Sequence, residues 1–177
     1  MRTIREATLD DARGIAEVHV AGWRWAYEGL LPVEYLEQLS ADEREAVWRD
    51  GLAMARTGLR CLVATDGDGA IGFVSFGRPA EDPSVPVGDH PRADAGEVYA
   101  IYLLPEVAGT GLGRALFTRA VEALRAEGYR QAFLWVLAAN ERSRRFYEKA
   151  GWAWDGTTST HRFDCAERPV VRYTIDL

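Results

Sequence analysis

A chain of 177 residues that is 47% hydrophobic and 27% charged holds enough apolar material for one ordinary globular core, and no shift in composition marks a linker, so a single domain over residues 1–177 is expected. Its 27 acidic residues against 21 Lys and Arg leave a formal charge of −6 with scattered basic residues, which excludes a nucleic-acid backbone as the main partner. No apolar run reaches signal-peptide or bilayer-spanning length, and Cys61 and Cys165 stand far apart without metal-ligand spacing, so a cytoplasmic protein with reduced thiols and no membrane partner is predicted.

Thr3 to Ala7 alternates like a strand, and Thr8-Leu9-Asp10-Asp11 then supplies a hydroxyl with an acid three residues later. This opens a helix with Ile15, Val18, His19, Gly22 and Trp23 on one face. Ser40-Ala41-Asp42-Glu43 is a second capping box, starting a helix through Val47, Trp48 and Leu52 that Gly58 should stop. Residues 60–65 and 70–77 are rich in β-formers and flank Asp66-Gly67-Asp68-Gly69, which predicts an antiparallel hairpin. Between Arg78 and Ala95, Pro79, Pro83, Pro86 and Pro91 predict a long surface loop, either a lid or a solvated stretch.

Residues 97–104 resume a strand that Pro105 ends, and Leu112, Leu116, Phe117, Ala120, Val121 and Leu124 mark the buried stripe of a helix to about Glu127. Gly128 closes it, and residues 131–138 follow as an apolar run short enough to be a doubly buried strand. Strand, helix and strand in this order predict a parallel crossover. Asn140 then caps a short helix ended by Gly151, and residues 169–177 form a closing strand.

The run Pro105-Glu106-Val107-Ala108-Gly109-Thr110-Gly111-Leu112-Gly113-Arg114 joins a strand end to a helix start, where backbone N–H groups lack intrahelical acceptors and attract anions. Its Gly-x-Gly-x-Gly pattern has neither the Gly-Lys-Ser/Thr ending of a Walker loop nor the spacing of a dinucleotide fingerprint. By itself it fits a diphosphate site or a turn that only permits tight packing.

This turn, together with residues 97–103 before it and residues 140–152 after it, resembles the GNAT acetyltransferases in content, order and separation. Ala108 is a departure, standing where the family usually has Gln or Arg. The resemblance implies a mixed α/β fold: a twisted, mainly antiparallel central sheet with one parallel strand pair, flanked by helices. It further implies acetyl-CoA as cosubstrate, an amine acceptor and no metal, and it is compatible with a homodimer. Transfer from a thioester to an amine needs no covalent enzyme intermediate, only a neutral amine, a stabilised oxyanion and a proton for the departing thiolate.

By the same resemblance the coenzyme would meet the backbone of Ile101, Tyr102 and Leu103 where this strand splays from residues 131–138. Ala108, Gly109, Thr110, Gly111, Leu112, Gly113 and Arg114 would hold its phosphates, and Asn140, Ser143 and Tyr147 its arm. Tyr147 would protonate the thiolate, with a packing role beside Phe146 as the plainer alternative, and Asn140 would serve pantetheine while also capping its helix. Glu97 would take the amine proton, against the alternative of an exposed strand-end acid.

Trp23, Trp25, Tyr27, Glu28 and Tyr35, beside Leu30-Leu31-Pro32, would join Glu97 around the acceptor unless they are simply core. Arg142, Arg144 and Arg145 would either meet the ribose phosphate or form a solvated face. His19, His90 and His161 are dispersed and suggest neither a triad nor a metal cluster. A catalytically silent acyl-CoA-binding module of the same fold is the competing functional reading.

Overall fold

The computed structural model of the chain describes residues 1–53, 58–67, 69–80 and 91–177. Strand β1 (Arg2–Glu6) is followed by α1 (Ala12–Ala26), α2 (Val33–Gln38) and α3 (Ala41–Ala53). The hairpin β2 (Leu59–Asp66) and β3 (Gly69–Gly77) leads to β4 (Ala95–Leu103), α4 (Leu112–Ala126) and β5 (Gln131–Leu137). Helix α5 (Glu141–Lys149) and strands β6 (Ala153–Arg162) and β7 (Glu167–Asp176) complete the chain. Asp68, the middle of the predicted loop with Pro83, Pro86 and His90, and residues 54–57 before Gly58 lie outside the described residues.

The strands form one sheet in the order β1-β2-β3-β4-β5-β7-β6, antiparallel except for β4 and β5. The period of two in each strand decides which helices cover which face. Leu62 and Ala64 of β2 pack with Leu112, Leu116, Phe117, Ala120 and Leu124 of α4, whereas Cys61 and Val63 pack with Ile15, Ala16 and Val18 of α1 and Trp48 of α3. A third cluster, Leu31, Leu36, Leu137, Phe163 and Val170, ties the α1–α2 region to the β5/β7 end of the sheet.

The predicted crossover β4-α4-β5 is present, and its parallel pairing is brief: Ala95 with Gln131, Gly96 with Ala132, and Glu97 with Phe133. Beyond that point β4 stays paired with β3 as far as Leu103, while β5 stays paired with β7 as far as Leu137. Tyr99 is an extra residue in β4, because Ser75 pairs with Ala100 and Phe76 with Val98. Such a bulge bends its strand and increases local twist, and here it lies two residues past Glu97, where the pairing of β4 with β5 ends.

Two elements escape the sequence pattern. Helix α2 has six residues and buries only Leu36, so its period has too few turns to register. Strand β6 is an edge strand, mostly exposed on both faces, and therefore lacks apolar alternation; its Thr-rich stretch was the available signal. Strand β4 also begins at Ala95, two residues before the predicted start.

The first predicted helix starts with a 3₁₀ turn, Leu9–Asp11, before α1. Asp11 accepts from the Thr8 N–H at 2.7 Å and from both Nη atoms of Arg5 at 2.7 and 2.8 Å. The Arg5 bond, opposed by burial and joined by Thr8, holds the Asp11 carboxyl below its usual range. A depressed carboxylate contributes stability above its unfolded pKa of about 3.9 and loses it as pH falls through the folded value. Asp11→Ala should therefore cost about 1 kcal/mol near neutrality, a fall of about 2–4 °C in Tm, and the deficit should shrink in acid melts. Equal melting temperatures for the two proteins at pH 7 would contradict this.

Candidate active site

The described chain has a cleft of about 830 Å³ running along the divergence of β4 and β5, a volume within the range of small-molecule sites. Helix α1 borders it on one side and α4 and α5 on the other, and β6 closes its far wall with Ser159, Thr160 and His161.

At one end lies the predicted glycine turn. Gly109 and Gly111 adopt φ of +76° and +88°, values that disfavour any side chain, and a Cβ on either would meet open space. Gly113 is glycine for another reason, since a Cβ there would sit 3.1 Å from Leu103 Cδ1. The Ala108 amide donates to Pro105 O at 3.1 Å and the Thr110 amide to Val107 O at 3.4 Å, whereas Ala115 begins the helical pattern by donating to Gly111 O. Among the described residues, the N–H groups of Gly109, Gly111, Leu112, Gly113 and Arg114 have no such acceptor. Five such donors gathered at a helix start are an arrangement that attracts anions.

The splay itself exposes the other backbone feature. Ile101, Tyr102 and Leu103 have strand partners on the β3 side only, because the β4–β5 register ends at Glu97. Their free edge faces the cleft.

Three phenols converge here from separate elements. Tyr27 ends α1, Tyr102 lies on β4, and their hydroxyls are 2.8 Å apart. Tyr147 of α5 is buried against Phe117, at a centroid distance of 5.4 Å, and near Tyr173 at 6.3 Å. Burial, then the field of the Tyr27 phenol, pushes the Tyr147 hydroxyl above its ordinary range, so it stays protonated at neutral pH. Burial raises Tyr27 and Tyr102 in the same direction.

Asn140 is buried, lines the cleft, and caps α5 by accepting from the Ser143 N–H at 3.1 Å. Glu97 is only 9% exposed, and its carboxylate accepts from the Ala80 N–H at 2.8 Å, so it is not the free strand-end acid of the plainer expectation. Val98 belongs to the α4-side core, so strand alternation sends Glu97 to the α1 face.

Of the remaining predicted residues, Trp23, Trp25, Tyr27, Ala108, Arg114 and Ser143 border the cleft. Glu28 is exposed and outside its lining, and Tyr35 packs in the third core cluster. The Leu112 side chain is core, and the Thr110 hydroxyl donates to Val107 O at 2.7 Å. The three arginines of α5 have different surroundings. Arg142 borders the cleft with its guanidinium 3.9 Å from the Trp25 ring centroid. Arg144 is committed to Tyr173 Oη and Ala138 O, and Arg145 to Glu141.

His19, Tyr99, Trp135, Phe163 and the β6 residues also line the cleft, and none was expected at the site from the sequence. His19 Nδ1 accepts from Trp48 Nε1 at 3.0 Å, and its ring stacks on Tyr102 at 5.2 Å. Burial, then the nearby Arg44, lowers its pKa to about 3, so it is a neutral imidazole with its proton on Nε2. Among the described residues no helix is long and apolar enough to cross a membrane.

These features define a mixed α/β protein with a coenzyme-sized cleft at a splayed parallel strand pair. A sequence profile described as Acetyltransferase (GNAT) family matches residues 20–152. An N-acetyltransferase of Bacillus subtilis (strain 168), YuaI, itself uncharacterized, is 38% identical over 141 residues, which are 79% of this chain and 74% of that protein. A mycothiol acetyltransferase of Beutenbergia cavernae is 36% identical over 104 residues, 59% of this chain but only 31% of that longer protein. The crystal structure of PaiA N-acetyltransferase from Thermoplasma acidophilum, in complex with coenzyme A, aligns with a TM-score of 0.75 at 20% identity, covering 97% of this chain and 98% of that one. The chain belongs to the GNAT family of acetyltransferases.

Proposed function

We propose that residues 1–177 form one catalytic domain, which transfers the acetyl group of acetyl-CoA directly to a primary amine. The observation that carries this reading is the set of amides at Gly109 and at Gly111 to Arg114 without a backbone acceptor, at the end of a cleft opened by the splay of β4 and β5. Coenzyme A in the PaiA crystal and acetyl-CoA in the structure of YncA from Salmonella typhimurium, proteins of similar fold, add support.

In this reading the amides of the glycine turn hold the pyrophosphate. Ala108 offers no side-chain donor, so these amides and Arg114 carry the contact alone. The free edge of Ile101–Leu103 receives the pantetheine arm and donates to the thioester oxygen, while Asn140 and Ser143 border the arm on the α5 side. Glu97 accepts the proton of the attacking amine on the α1 face. The amine nitrogen bonds to the carbonyl carbon, the resulting oxyanion is held by the β4 amide, and the C–S bond breaks. The Tyr147 phenol then gives its proton to the thiolate, and solvent restores both groups.

Binding is tested by thermal shift. Acetyl-CoA or CoA at 100 times its Kd should add about 2.7 kcal/mol of stability and raise Tm by about 5–10 °C, whereas ATP and NAD should give none. An unchanged Tm with both coenzymes would refute the reading. A catalytically silent coenzyme binder would show the shift but release no free thiol with any amine.

A further inference from the structure

Building on the acetyltransferase reading, we propose that His19 is a specificity-determining residue, a fixed N–H donor that selects primary amines bearing a carbonyl or carboxylate oxygen near the amine. The tautomer follows from its partner. An indole nitrogen only donates, so the 3.0 Å bond from Trp48 Nε1 makes His19 Nδ1 an acceptor and leaves the ring proton on Nε2. A second proton would have to enter at Nδ1, against the Trp48 N–H, so the ring serves as a donor and not as a base.

Packing fixes its direction. Trp48 is buried in the core shared by α1 and α3, and the imidazole stacks on Tyr102 at 5.2 Å with 18° between the planes. Trp23 and Phe73 hold it from other sides, at centroid distances of 5.4 and 5.5 Å. Among the described residues Nε2 has no hydrogen-bond partner, yet it is not sealed from solvent, and the ring borders the cleft. The N–H is therefore presented to the cleft before any ligand arrives.

Tyr102 packs on the α1 side of the sheet, and its backbone belongs to the free edge of β4 that receives the coenzyme arm in this reading. The donor thus stands on the side from which the amine attacks. Local charge favours an electron-rich oxygen there, since Arg44 lies 5.5 Å from the Trp23 ring centroid and its field acts on the same imidazole. An alkyl group seated against Nε2–H would strip it of water and return no acceptor, a penalty that a carbonyl or carboxylate oxygen avoids.

The test is a kcat/KM panel on the whole chain with saturating acetyl-CoA, read as free thiol, beside a calorimetric titration of acetyl-CoA alone. Glycinamide and β-alaninamide offer a carbonyl, glycine and β-alanine a carboxylate, and isobutylamine and isopentylamine match their shapes without oxygen. An oxygen-bearing amine should exceed its hydrocarbon match, and the double variant His19→Phe/Trp48→Phe should shrink that margin by about fivefold or more. Replacing both residues leaves no indole N–H without an acceptor, and comparing margins between proteins cancels the amines' own basicities. Trp48→Phe alone keeps the imidazole but frees its tautomer, so it should shrink the margin in the same direction. Long-range proton–nitrogen NMR should find the His19 proton on Nε2 in the parent and on both nitrogens in Trp48→Phe.

An unchanged margin in the variants, an equal loss with all six amines, or a parent His19 proton on Nδ1 would overturn this inference and leave the acetyltransferase reading standing. Coenzyme binding without turnover of any of the six would also overturn it. Absence of acetyl-CoA binding would bring down both.

Discussion

Tyr147→Phe should lower kcat by about 100-fold, the scale of losing a positioned general acid, while the Kd for acetyl-CoA stays within about twofold. The substitution keeps the ring that packs on Phe117 and Tyr173, so the core contact survives and only the hydroxyl is lost. The pH profile separates chemistry from packing. Burial and the Tyr27 phenol raise the Tyr147 pKa, so the native enzyme should hold its rate through pH 9 and lose it only above the ordinary phenol value of about 10. The variant should lack that alkaline limb. A kcat unchanged by the substitution would remove Tyr147 from the reaction and leave it a packing residue. Stopped-flow release of thiol, with calorimetry for binding, measures both quantities.

Gly111→Val should raise the acetyl-CoA Kd by about 10–100-fold, the range expected for losing one charge-assisted hydrogen bond. At φ +88° a β-branched residue is excluded from the native backbone, so the peptide must rotate and the neighbouring amides no longer converge. Since a Cβ at this position meets nothing within 4 Å, the core behind the turn should be untouched and the circular dichroism spectrum unchanged. Gly113→Val is the contrasting control. There the added atoms crowd Leu103, so thermal stability falls along with affinity. Coenzyme affinity equal to the parent in Gly111→Val would mean that the turn is not the phosphate anchor.

Each element that buries one face over several periods was readable from the amino acids: the β2–β3 hairpin, α4, α5 and the crossover that makes β4 and β5 parallel. The glycine turn and the Asn140 cap were readable too, since positive φ and orphan amides are demands on single residues. Strand β6 was not, because an edge strand exposed on both faces has no burial to record, and with it went Ser159, Thr160 and His161.

Sequence by itself thus determined most of the elements and their order, α2 and β6 excepted, through local periods and caps. Tertiary structure alone decided how far β4 and β5 part, a matter of sheet twist and the bulge at Tyr99. It also decided that Tyr27, Tyr102 and Tyr147 meet, that Arg142 rather than Arg144 or Arg145 borders the cleft, and that Glu97 is held by Ala80. These are relations between residues distant in the chain. No local pattern encodes them, because they follow from how the helices settle on a twisted sheet.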